Sequence, residues 1–238
     1  MAVNALLTGE TPDEVSASAR SAAAAGFRAV KLKVGGRLLE ADVARAIAVR
    51  EAIGPTIALR LDGNGGWSRD EAVRALRALA ACRPEYVEQP VAADDVAGLV
   101  AVGRESGVVV AADEAAGNRD SAMACLEAGV PVLILKPAAL GGLVTAGLVA
   151  REASRLGGRV VLTSALDRGV GTLGAAHLAA ALGLYDPMGL ATGGLYAAPA
   201  VEGLTIAHGA LALPAKSGLG AIPLDASLLA LIQEACHG

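Results

Sequence analysis

Six charged residues stand at or near the ends of apolar runs that read as strands: Lys31 and Lys33 in RAVKLK, Asp62 in IALRLD, Glu88 in EYVE, Asp113 in VVVAAD and Lys136 in VLILK. An ionised group is costly inside a buried strand, so a charged strand end points to a wet mouth. Three carboxylates on adjacent strands, about 5 Å apart from strand to strand, repel unless something positive sits among them. A hard divalent cation answers that need. Asp62, Glu88 and Asp113 are all oxygen ligands with no His or Cys nearby, which favours magnesium, with manganese as the alternative, over zinc. Side chains alternate along a strand, so Lys31 and Lys33 point the same way, while Lys136 comes from the far side of the carboxylates. A metal and a like charge both lower the pKa of a neighbouring lysine, as a lysine base requires. The chemistry that fits is removal of a proton next to a carboxylate. The metal stabilises the enediolate oxygens and a lysine takes the proton.

Other residues carry two readings each. Asn64 could bond a ligand carboxylate from behind or serve the turn in GNGG. Glu114 competes with Asp113 as third ligand, and the phase of Val109 and Ala111 favours Asp113. Lys31 either tunes Lys33 or acts itself. Taken singly, any of these charged ends is as well explained by a salt bridge, but five strand ends in order are not. Trp67 reads as packing, and His177, His208 and His237 as structural or exposed. The glycine pairs at 35, 65, 141 and 193 suit tight turns.

The elements that must position these groups repeat regularly. Strand readings over 3–7, 28–33, 57–62, 85–88, 108–113, 132–136, 159–163 and 189–192 end 23–29 residues apart, with Ala-rich helical segments between. Thr11-Pro12-Asp13-Glu14 and Ser68 to Glu71 are helix starts with capping boxes, and Gly26, Gly129 and Gly157 sit where helices should stop. Parallel strands with helical crossovers close into an α/β (β/α)8 TIM-type barrel. An open doubly wound sheet is the alternative, but no GxGxxG follows the first strand. The expected division is a barrel over 1–202 and an extension over 203–238 packed on it.

Composition sets the outer bounds. The chain has 238 residues, 54% hydrophobic and 2% aromatic, with a net charge of -4, which excludes disorder. No apolar stretch is long enough for a membrane span, and MAVNALLTGE lacks the features of a secretory signal, so a cytoplasmic protein is expected. Cys82, Cys125 and Cys236 are far apart and read as reduced thiols. Few rings and no basic run argue against nucleic acid, leaving a small-molecule carboxylate as the expected partner.

The strings VKLKVGG, LRLDGNGGWS, YVEQPV, AADEA and LKPAALGG, in this order, resemble the barrel domain of the enolase superfamily, in its muconate-lactonizing subgroup. The likeness runs from about residue 3 to about 225, where SGLGAIPLD resembles a closing strand. It implies Asp62, Glu88 and Asp113 as magnesium ligands, Lys33 as acid/base and Lys136 as the opposing lysine, a pairing of lysine and magnesium well known in that superfamily. VVLTSALD lacks the histidine of the mandelate-racemase subgroup, and GLATGGLY lacks the Asp-x-Asp with which dipeptide epimerases hold an amino group. The stretches TSALDRGVGTLGAAHLAAALG and GLATGGLY most resemble the subgroup's dehydratases of menaquinone biosynthesis. That likeness implies that Lys33 removes the α-proton of a cyclohexadiene carboxylate and helps the hydroxyl leave as water. Lys136 would stabilise the anion, and Ser164 with the Gly193 and Gly194 backbone would contact the succinyl arm. An N-acylamino acid racemase or a cycloisomerase on the same scaffold is the competing expectation, and a non-catalytic binding subunit the third. Family members carry an N-terminal capping domain ahead of the barrel, whereas this sequence opens on a barrel strand. A separate capping domain, or a homo-oligomer formed through the apolar surface a cap would cover, is therefore an expected partner.

Overall fold

The computed structural model describes residues 1–165, 167, 169–192, 205–215 and 218–219. Seven parallel strands lie side by side in chain order: β1 (Ala5–Leu6), β2 (Ala29–Lys33), β3 (Ala58–Asp62), β4 (Tyr86–Glu88), β5 (Val110–Ala112), β6 (Val132–Leu135) and β7 (Arg159–Leu162). Helices α1 (Pro12–Ala24), α2 (Leu39–Ile53), α3 (Arg69–Leu79), α4 (Val96–Ser106), α5 (Arg119–Glu127), α6 (Leu143–Arg155) and α7 (Gly169–Ala181) follow the strands in turn. Alternation explains the two layers. One phase of each strand (Val30 and Leu32, Leu59 and Leu61, Leu133 and Leu135, Val160 and Leu162) is buried and faces the helices. There it meets Val15, Val49, Leu76, Leu99 and Val149, each contributing about 1.5–3 kcal/mol on burial. Alanines on the helices let them lie close to the strands.

A two-residue seam closes the sheet into a barrel. Met188 N donates to Ala2 O and Asn4 N to Met188 O, both at 2.9 Å, while Gly189 N donates to Leu162 O at 2.9 Å and Ser164 N to Gly189 O at 3.4 Å. The eighth stave thus pairs at Met188 and Gly189, at the very start of and one residue before the 189–192 expected from sequence. Gly189 is required there, because a Cβ would stand 2.4 Å from Thr163 Oγ1. The fifth strand is also shorter than its apolar run. Asp113 leaves the ladder at φ -113°, ψ -82° and opens a one-turn 3-10 helix over Glu114–Ala116.

The helix signals are realised. Thr11 accepts from Glu14 N in a closed capping box, and the Ser68–Glu71 box is formed as well. Gly26, Gly129 and Gly157 take φ of 83°, 88° and 79° just beyond α1, α5 and α6. The antiparallel pair β8 (Ile206–Ala207) and β9 (Ala210–Leu211) bonds to the segment leading into β1, with Val3 N on Gly209 O and Leu211 N on Met1 O. Cys82 and Cys125 are free and buried, and Cys236 and His237 lie outside the described residues. No described helix is long and apolar enough to cross a membrane.

A charged network fills the barrel floor. Arg60 shares the inward phase of Asp62, one layer deeper, and is fully buried. It donates to Glu85 Oε2 at 2.7 Å, to Pro187 O at 2.6 Å and to Asn4 Oδ1 at 3.2 Å, and its guanidinium lies 5.1 Å from the Tyr86 ring centroid. Arg159 adds bonds to Glu85 at 2.7 Å and to Asp186 at 3.1 Å. Burial would raise the Glu85 carboxyl, but the two arginines outweigh it and hold it below the usual carboxylate range.

Candidate active site

The C-terminal strand ends surround a cavity of about 360 Å³ lined by Lys31, Lys33, Asp62, Asn64, Asp113, Glu114, Lys136, Ser164 and Thr192, among others. Register puts the key side chains on the inner face: Lys33 pairs with Asp62, and Asp62 with Glu88. Lys31 Nζ sits 3.0 Å from Asp62 Oδ2 and 2.8 Å from Glu88 Oε1. Lys136 Nζ lies 2.7 Å from Asp113 Oδ2 and 2.5 Å from Oδ1, so its ammonium spans both carboxylate oxygens. Lys33 does not bridge to Asp62. Its Nζ donates to Asn64 Oδ1 at 2.9 Å, and Asn64 Nδ2 donates to Glu114 Oε1 at 3.2 Å.

The lysines thus part company. Burial alone would lower Lys31, yet Glu88 and Asp62 outweigh it and hold its ammonium above the ordinary lysine range. It lies between two carboxylates rather than beside Lys33. Lys33 is exposed at the mouth and faces Lys136 across the barrel, since β2 and β6 stand four staves apart in the closed ring. Burial pushes the Glu88 carboxyl up to about 8, against the pull of Lys31 and helped by the charges of Asp62 and Asp113. The donor chemistry suits a hard divalent ion: three carboxylates, each at least nine-tenths buried, whose charged partners in the cavity are ammonium groups. With ammonium groups among them, no three such side chains converge as metal ligands among the described residues.

Asn64 serves the turn, and its side chain bonds Lys33 and Glu114 rather than Asp62, Glu88 or Asp113. Its backbone turns at φ 44° and bonds Asp62 Oδ1 at 3.1 Å, while its side chain reaches Lys33. Glu114 is exposed at the rim, with Asp113 buried beneath it. Ser164 is buried and shares a 2.7 Å hydrogen bond with Thr192. Gly193 and Gly194 lie outside the described residues. Trp67 packs at the loop base against the core, and its N donates to Pro90 O. His177 falls in α7 and His208 in the β8–β9 turn.

Two mouth residues escape the sequence reading. Thr192 gave no signal beyond standing three positions after Gly189. Gln89 is buried at φ 40°, and its Oε1 accepts from Asp113 N at 3.1 Å and Ala115 N at 3.0 Å while its Nε2 donates to Val91 O. One amide therefore ties the ends of β4 and β5, and the departure of Asp113 from the strand follows from it. A polar residue between a strand end and Pro90 was the available clue.

A family profile described as "Enolase C-terminal domain-like" matches residues 14–226, and the chain belongs to that family. The chain is 42% identical over 192 residues to the o-succinylbenzoate synthase of Mycobacterium ulcerans, covering 79% of this chain and 56% of that protein. It thus spans a little over half the length of such relatives. The dipeptide epimerase from Enterococcus faecalis V583, solved with Mg and the dipeptide L-Leu-L-Tyr, superposes with a TM-score of 0.85 at 31% identity, over 92% of this chain and 63% of that one. The muconate lactonizing enzyme from Pseudomonas putida gives a TM-score of 0.88 at 25% identity, over 97% and 65%. These relatives are enolase-superfamily enzymes, and the chain shares their barrel.

Proposed function

We propose that this chain is the barrel of a magnesium-dependent enzyme that removes the proton α to a carboxylate, with Asp62, Glu88 and Asp113 as ligands and Lys33 as the base. The observation that carries it is the set of three buried carboxylates on consecutive staves, with two lysines reaching the same cavity from opposite sides. A bound magnesium supplies positive charge to the substrate carboxylate as negative charge develops on it. Lys33, held at its tip by Asn64, takes the proton and returns it to the departing hydroxyl as water forms. Lys136 answers the growing anion with its fixed charge. Lys31 keeps Asp62 and Glu88 paired from beneath. The particular reaction proposed is o-succinylbenzoate synthesis from a cyclohexadiene carboxylate in menaquinone formation, supported by the identity to the Mycobacterium ulcerans enzyme. Ser164, with the Gly193 and Gly194 backbone, is proposed to contact the succinyl arm.

A second reading is epimerisation of a dipeptide, favoured by the likeness to the Enterococcus enzyme. Against it, the seventh and eighth stave ends present hydroxyls, Ser164 and Thr192, where an ammonium group would call for a carboxylate. One preparation offered both substrates, together with calorimetry of magnesium binding, decides the matter. The expected result is binding that Asp113→Asn weakens by at least about tenfold and turnover of the cyclohexadiene acid alone. Turnover of the dipeptide alone would reverse the assignment, and absence of magnesium binding would end both.

A further inference from the structure

Away from the mouth, α2 carries a fully buried ion pair that the chemistry above does not use. Asp42 and Arg45 are 0% and 3% exposed, and Arg45 Nη1 lies 2.9 Å from Asp42 Oδ1. Two full charges are expensive to bury, and an apolar pair of similar volume often folds as well or better. What the charges reach is informative. Arg45 Nη1 also donates to Lys33 O at 3.0 Å, and Nη2 to Gly9 O at 3.0 Å, while Asp42 Oδ2 accepts from Gly35 N at 2.7 Å.

The position of the Lys33 carbonyl explains the need. Carbonyls two apart on a strand face the same neighbour. Lys31 O is taken by Leu7 N of the first stave, and the next carbonyl on that side, Lys33 O, points where that stave has already turned away. The Arg45 guanidinium stands in for the missing strand. Its second arm fixes Gly9 in the loop after β1, and Asp42 fixes Gly35 in the loop after β2. An additional ion pair, Arg37 with Glu10, links the same two loops at the surface.

We infer that Asp42 and Arg45 are positioning residues that clamp the backbone of Lys33 and the first two mouth loops into one unit, so that the lysine tip is delivered to a fixed point. The inference rests on Lys33 being the base. Held at its carbonyl by Arg45 and at its tip by Asn64, the side chain has little room to wander.

The test replaces the pair with apolar residues, Asp42→Leu together with Arg45→Met, which removes the clamp without leaving an orphaned charge. The expected outcome is a chain that still unfolds cooperatively, with a midpoint lowered by the three backbone groups left unpartnered rather than by a stranded charge. Alongside it, the Val34 and Leu7 amides, neither bonded to the pair, exchange with deuterium about tenfold faster. Exchange of the α-proton of the cyclohexadiene carboxylate in heavy water should fall about tenfold or more in kcat, with KM within about twofold. A folded double variant with amide exchange and kcat both unchanged would overturn the inference. Should that variant fail to fold, Arg45→Lys, which keeps the charge but not the three-way fork, is scored on the same readouts. Lys33→Ala is run in parallel. If it leaves α-proton exchange intact, the base assignment falls, while Val34 exchange still judges the clamp.

Discussion

The two ends of the barrel interior are both charged, yet they are built from different cations. The floor uses arginines: Arg60 and Arg159 share Glu85, and Arg60 also bonds to Asn4 and Pro187. The mouth uses lysines: Lys31, Lys33 and Lys136, around a cavity. A guanidinium is a rigid fork that keeps its proton, whereas an ammonium is a swivelling point charge that can lose one. The floor is therefore suited to holding staves together and the mouth to exchanging protons and ions. The bonded atoms agree, since the floor bonds main-chain and side-chain partners from several staves and the mouth bonds carboxylates that a metal could also claim.

Three substitutions break or sharpen this contrast. Lys33→Ala should abolish most turnover, by about 10²–10⁴-fold in kcat, while moving the unfolding free energy by no more than about 0.5 kcal/mol, because Lys33 is exposed. Steady-state kinetics beside a denaturant titration reads both, and an equal loss on both axes would contradict the division of labour. Arg60→Met should do the reverse, lowering stability by about 3 kcal/mol through a broken buried pair and leaving kcat per folded molecule within about twofold. The smallest effect concerns pH. The Glu85 carboxyl is held below its ordinary value of 4.5, so it contributes stability that is present above that value and lost as pH falls through the lower folded one. Glu85→Gln should flatten the acid limb of the stability curve below about pH 4.5, as followed by thermal melts from neutral to acid pH. An acid limb that stays as steep would show that other carboxylates dominate.

Much of this architecture was legible because the rules involved are local. Lys33, Asp62, Glu88 and Lys136 stand where charged ends of apolar runs must stand, and the Thr11 and Ser68 boxes announce two helices. What stayed hidden depends on contacts far apart in sequence. Period two shows that Lys31 and Lys33 share a side but not that Lys31 ends between two carboxylates. An acid and a base three apart on a helix, as Asp42 and Arg45 are, read as a solvated surface pair, and only the strand that ends early makes them interior. The start of the eighth stave was missed by one residue because an apolar run does not reveal which of its residues meets Val3. The exit of β5 at Asp113 follows from the Gln89 amide, whose reach to Asp113 leaves no trace in the pattern of residues 108–113.

The seam at Met188 and Gly189 has a mechanical consequence. Neighbouring staves such as β2 and β3 are laced over five register positions, but among the described residues this one meets each flank through a single isolated bridge. A hoop under tension yields at its narrowest weld. Guests of different girth would therefore be accommodated by spreading beside Ser164 and Thr192, while the lysine–carboxylate arc opposite keeps its shape. Such a hoop can change what it admits without disturbing how it reacts.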